Sequence, residues 1–130
     1  MELVAVITLL IVLEYLVFTM LVGVARGKSG IQAPATTGDP VLERTLRVQM
    51  NTLEQLAIVI PSLWLFGLYV SPEYAAGLGL VFAIARVLYY RGYVAEPAKR
   101  GLGFGIGFLA TLVLLVGAIY GSGMAAIAQL

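Results

Sequence analysis

The stretch Arg47–Tyr93, RVQMNTLEQLAIVIPSLWLFGLYVSPEYAAGLGLVFAIARVLYYRGY, decides the fold. It holds two long apolar runs separated only by Ser71-Pro72-Glu73. A bilayer-spanning helix needs about 20 mostly apolar residues. Val48–Val70 meets that length with Asn51, Glu54 and Pro61 inside it, and Tyr74–Tyr93 meets it with Arg86 inside. The Ser-Pro-Glu connection has room only for a tight turn, so the two spans run antiparallel.

Outward from this pair, Leu3–Ala25 is a further span with one charge, Glu14. It is too long for a signal peptide, and Glu2 stands where such a peptide would carry a basic residue. The polar stretch Arg26–Arg47, containing GKSGIQAPATTGDP, reads as a loop. A helix start fits at Asp39-Pro40, where Asp caps and Pro occupies the first helical position. Val94–Arg100 is a short loop with Pro97, and the uncharged run from Leu102 supplies the last span. The expected fold is an all-α integral membrane protein. It is one domain, residues 1–130, a four-transmembrane-helix bundle with spans at about 3–25, 48–70, 74–93 and 102–128.

Composition agrees. The chain is 61% hydrophobic and 12% charged, against about 45–50% and 25% in soluble domains. It contains no cysteine and no histidine, which excludes disulfides, thiolate nucleophiles and the usual zinc sites, and no metal is expected. A net charge of +1 gives nucleic acid no electrostatic footprint. All eight basic residues lie at or near the first and third connections: Arg26, Lys28, Arg44 and Arg47, then Arg86, Arg91, Lys99 and Arg100. Positive charge stays cytoplasmic. Both polar loops are therefore expected inside and both termini outside, in a multi-pass protein of a bacterial inner membrane.

Ionisable residues within a span cost about 2.5–3.5 kcal/mol each on insertion scales and mark function. Arg47, Asn51 and Glu54 share one helix face, as do Arg86, Tyr89, Tyr90 and Tyr93. Glu54 and Arg86 each lie roughly seven residues in, about 10 Å deep, so the two faces are expected to meet, with Glu54 against Arg86. The resulting pocket suits a ligand with several carboxylates and an amine. Read blandly, Arg47 and Arg91 are boundary arginines that snorkel, the tyrosines are interface anchors, and Glu54–Arg86 is a structural pair.

These residues also carry a resemblance. ERTLRVQMNTLEQ, LWLFGLY, ARVLYYRGY and AKR, preceded by PATTGDPVLER, resemble the membrane-associated proteins in eicosanoid and glutathione metabolism, the MAPEG family. The spacing RxxxNxxE followed by RxxYxxxY is the specific part. The resemblance implies a homotrimer of four-helix subunits, with glutathione as co-substrate bound between subunits at the cytoplasmic side. It implies a glutathione transferase, with peroxidase activity as a variant, that attacks a lipophilic small molecule or lipid. Arg47, Asn51, Glu54, Tyr89 and Tyr93 match the family's glutathione ligands, and Arg26 and Gln49 match residues from the neighbouring subunit. Arg86 matches the buried arginine of the third helix and Arg100 the arginine that activates the thiol. Gln55 departs from a tyrosine ligand of the family, and Gly27 replaces a second arginine beside Lys28.

The chemistry fits that assignment. Arginines hold carboxylates bidentately, Glu54 can accept an ammonium, and nearby cations lower a thiol pKa. Arg100 stands where the fourth helix begins, so its charge adds to the helix dipole. Gly103 and Gly107 form a small-xxx-small spacing that lets helices approach closely. Two alternatives remain open. One is a non-catalytic lipid-binding scaffold of the same superfamily. The other is a small four-helix drug/proton antiporter, coupled through Glu14 at mid-span.

Overall fold

A computed structural model describes residues 1–130. Its four helices are α1 (Glu2–Ser29), α2 (Pro40–Tyr69), α3 (Pro72–Ala95) and α4 (Gly101–Ile127). A single 3-10 turn, Pro97–Arg100, precedes α4. All four are long and apolar enough to cross a membrane.

Local chemistry sets the boundaries. The Asp39 carboxylate accepts from the Leu42 N–H at 2.9 Å, and Pro40 follows at the first helical position. Ser71 does the same for α3, its hydroxyl accepting from the Tyr74 N–H at 3.2 Å ahead of Pro72. α1 ends where Gly30 turns left-handed, at φ 74°. Helix therefore runs beyond the apolar spans: Arg26–Ser29, expected as loop, is helical, α2 starts at Pro40 as the Asp39-Pro40 pair predicts, and the connection is only residues 30–39. Hydropathy marks where lipid begins, whereas caps and breakers mark where helix begins. Val94–Arg100 is likewise mostly helical, broken only at extended Glu96.

α2 and α3 form the central pair, with α1 packed on one side of them and α4 on the other. Gly67 of α2 lies against the Met1 side chain and Gly121 of α4 against the Tyr69 carbonyl, so these helix ends meet at one end of the bundle. At the opposite end Arg44 of α2 reaches the carbonyls of Val94 and Ala95. The core between the helices holds Val4, Ile11, Val59, Leu63, Phe82 and Leu114. Buried hydroxyls satisfy themselves within their own helices, as membrane packing requires. Thr45, Thr52, Ser62 and Thr111 each donate to the carbonyl four residues earlier at 2.7–2.8 Å.

The expected glycine contact is present. A Cβ on Gly103 would strike the backbone of Tyr89, while one on Gly107 would make ordinary contact with Ala85 at 3.5 Å. The basic residues of the two polar connections gather at the Arg44–Ala95 end of the bundle. We expect this end to be cytoplasmic. With no native cysteine present, single cysteines at exposed Thr37 and Glu73 test it with an impermeant reagent on intact cells. Glu73→Cys should label and Thr37→Cys should not; the reverse pattern would invert the protein.

Candidate functional site

An open cavity of about 490 Å³ lies at the basic end, lined by Arg47, Asn51, Tyr89, Tyr93, Arg100 and Phe104. That volume falls within the range of about 300–1,000 Å³ common for small-molecule sites. α2 supplies Arg47 and Asn51 one turn apart, and α3 supplies Tyr89 and Tyr93 one turn apart. Arg100 reaches the cavity from the 3-10 turn and Phe104 from the first turn of α4. A second groove of about 530 Å³ between α1 and α3 is mostly apolar, with Glu14, Tyr90 and Arg91 as its polar lining. The concentration of chemistry, not size, selects the first.

Arg47 pairs with Glu54 at 3.3 Å, both side chains about half exposed (49% and 53%). Arg100 donates to the Pro97 carbonyl at 3.1 Å, with its guanidinium 5.8 Å from the Tyr93 ring centroid. Tyr89 and Tyr93 lie with ring centroids 5.6 Å apart, and Phe104 extends the aromatic wall 6.2 Å from Tyr89.

Arg86 differs from expectation. It is 2% exposed and does not meet Glu54. One guanidinium nitrogen donates to Asn51 Oδ1 at 2.8 Å and to Thr52 Oγ1 at 2.7 Å. Its guanidinium carbon also lies 4.1 Å from the Tyr89 ring centroid. Residues advance about 100° around a helix, so α3 approaches α2 between positions 51 and 52. Glu54 points about a third of a turn away, toward Arg47. Arg86 therefore lies behind the cavity wall, bound to Asn51 and stacked on Tyr89, rather than in its lining. Glu54 is also outside the lining and touches it through Arg47. Tyr90, expected on the same face as Tyr89 and Tyr93, turns instead to α1 and stacks on Phe18 at 5.4 Å.

Arg26 and Gln49 are not brought to this cavity by their own chain. Arg26 donates to the carbonyls of Ile31 (3.3 Å) and Ala35 (2.7 Å), and Gln49 donates to the Thr19 hydroxyl at 3.1 Å. Gln55 is half-buried on α2, outside the lining. One carboxyl oxygen of Glu14 is buried without a hydrogen-bond partner. Sequence reading missed Thr52 and Phe104. A hydroxyl beside Asn51 in a span was a legible signal for Thr52; Phe104 had none beyond its place after Gly103.

The profile of the MAPEG family matches residues 4–120. The chain belongs to the MAPEG family. With its four membrane-length helices, this makes it an integral membrane protein and separates it from the antiporter class. Among MAPEG relatives, the chain is 43% identical over 100 residues to microsomal glutathione S-transferase 2 of Homo sapiens, covering 75% of this chain and 68% of that one. It is 37% identical over 98 residues to leukotriene C4 synthase of Bos taurus, covering 75% and 65% respectively. An uncharacterized protein of Synechocystis sp. is 50% identical over 115 residues, covering 88% and 84%.

Proposed function

We propose that this cavity binds glutathione and stabilises its thiolate for attack on a lipophilic electrophile. One observation carries the reading. Apart from Phe104, every residue lining the cavity is one that the family resemblance assigns to glutathione binding or thiol activation.

The tripeptide brings two carboxylates, an ammonium and a thiol. Arg47 offers a bidentate fork to a carboxylate, and Glu54, held at 3.3 Å from it, offers a carboxylate to the ammonium. Asn51, oriented by Arg86, and the phenols of Tyr89 and Tyr93 supply neutral hydrogen bonds. Arg100 stays protonated and so is no base; the thiol proton leaves to water, and the guanidinium stabilises the sulfur anion left behind. The first-turn N–H groups of α4, which no side chain caps, add the positive end of the helix dipole. The thiolate then attacks an electrophilic carbon arriving between helices from lipid. As the carbon–sulfur bond forms, the breaking bond's electron pair leaves with the departing group, or stays on the oxygen of an opened epoxide, which takes a proton from water. In the variant chemistry the thiolate attacks a lipid hydroperoxide, the O–O bond breaks, the alkoxide takes a proton from water to give the alcohol, and a second glutathione converts the sulfenic acid to the disulfide with loss of water.

The assembly we propose is a homotrimer. Arg26 and Gln49 lie outside the cavity of their own chain, which fits their contributing to a neighbour's. Native mass spectrometry in detergent should give three chains; monomer alone would remove those two residues from the site.

Calorimetric titration of detergent-purified protein with glutathione tests the binding. Arg47→Ala and Glu54→Ala should each weaken it. Breaking a buried ion pair costs about 2–5 kcal/mol, and half-exposed partners lose part of that to solvent screening. The expected loss is about tenfold to thirtyfold in Kd. Unchanged affinity in both variants would move the site elsewhere. A panel of electrophiles plus a lipid hydroperoxide separates conjugation from peroxide reduction. Binding without either turnover would make the chain a scaffold.

A further inference from the structure

The turn that carries Arg100 is held from a distance. Arg44 lies near the start of α2, yet its guanidinium donates to the carbonyls of Val94 (3.2 Å) and Ala95 (3.3 Å), fifty residues on. These are among the last carbonyls of α3, which helix geometry leaves without an intrahelical donor. A cation there also complements the negative end of the helix dipole. The chain then breaks at extended Glu96 (φ −159°, ψ 120°) and folds into the 3-10 turn Pro97–Arg100. That turn closes back on α3 at Gly92, where an added Cβ would stand 2.5 Å from the Lys99 carbonyl oxygen. Four residues thus separate the carbonyl that Arg44 holds, at Ala95, from Arg100, and the lack of a side chain at Gly92 lets the Lys99 carbonyl pack against α3.

We propose that Arg44 is a positioning residue: by clamping the C-terminal end of α3, it sets the place from which Arg100 acts on the cavity. Arg44 does not line that cavity. Its guanidinium is engaged on two backbone carbonyls, so it is more than a boundary arginine reaching for lipid headgroups. One nitrogen serves both carbonyls, an arrangement that a lysine ammonium can partly reproduce.

The inference rests on the reading that Arg100 stabilises a bound thiolate, and two measurements keep the two ideas apart. The first needs no glutathione. A cysteine at exposed Ala98 is the only one in the chain and can carry a nitroxide. In Arg44→Met, which keeps the aliphatic stem but removes both hydrogen bonds, the spectrum of that label should narrow as the turn is released. An unchanged line shape overturns the inference, whatever the protein does with glutathione.

The second measurement is thiolate absorbance against pH with glutathione bound. Arg44→Met should raise the apparent thiol pKa by at least about half a unit, while Kd for glutathione stays within about threefold of wild type. Arg44→Lys should restore part of the shift. A wild-type thiolate signal combined with an unshifted Arg44→Met titration overturns the positioning role. Absence of a thiolate in the wild type instead removes the proposed function, and the spin label then decides the clamp alone.

Discussion

Gly103→Ala should destabilise the protein more than any other single methyl addition in α4. The added carbon would meet the backbone nitrogen and Cα of Tyr89 and stand 2.8 Å from the Ala85 carbonyl oxygen. Backbone atoms inside a helix cannot step aside alone, so α4 must move away from α3 as a body. Overpacking costs about 1–3 kcal/mol, and a backbone obstacle puts this case at the upper end. In a detergent melt that corresponds to a fall of about 10 °C in midpoint. Gly105, two residues on, is the control: a Cβ there meets nothing within 4 Å. Gly105→Ala should be neutral or stabilising by about 0.5–1 kcal/mol, because alanine loses less backbone entropy in a helix. Opposite signs from two glycines on one helix cannot come from propensity. Equal shifts would mean that α3 and α4 are not in this contact.

Arg100→Ala carries the largest expected effect on turnover. Its guanidinium and the uncapped start of α4 are the two positive influences near the proposed sulfur position. Removing a preorganised stabiliser of developing charge costs about 10²–10³ in rate. Glutathione affinity should change little, since Arg47 and Glu54 remain. The bound thiol should ionise at higher pH than in wild type, each unit of that shift being about 1.4 kcal/mol. Activity should accordingly be lost most at neutral pH and partly return as pH rises and the thiol ionises unaided. Arg100→Lys should keep a fraction, because charge matters there more than the fork. If Arg100→Ala loses binding but leaves the thiol titration unmoved, Arg100 holds a carboxylate and the activating group lies elsewhere.

Much of this was legible in the residues. Asp39-Pro40 announces a helix start because capping is local chemistry; Ser71-Pro72, expected only as part of a tight turn, carries the same signal and caps α3. Arg47 with Asn51, and Tyr89 with Tyr93, could be placed on shared faces because helical periodicity alone does that. The tight connection, Val70-Ser71 in the structure and expected at Ser71–Glu73, then brings those faces together. What periodicity cannot supply is the angle at which two helices approach. That angle sends Arg86 to Asn51 and Thr52 rather than Glu54, and turns Tyr90 toward Phe18. In the sequence Arg44 is only a positive charge near a loop; its grip on Val94 and Ala95 depends on α2 rising above the apolar span beside the end of α3. Hydropathy alone ends α1 at Ala25 rather than Ser29, since it reports the solvent and not the hydrogen bonding.

The bond between Arg86 and α2 bears on how the chain enters a bilayer. Alone, α3 would carry a guanidinium into hydrocarbon at a cost of about 2.5–3.5 kcal/mol on insertion scales. Beside α2, one nitrogen of the same group is met by an amide and a hydroxyl, although the buried Nε keeps no partner. α2 gains as well, since its Asn51 amide oxygen has a donor before lipid reaches it. The hairpin joined at Ser71 is therefore a better substrate for insertion than either of its arms, and the favourable partitioning of α3 depends on a helix made just before it.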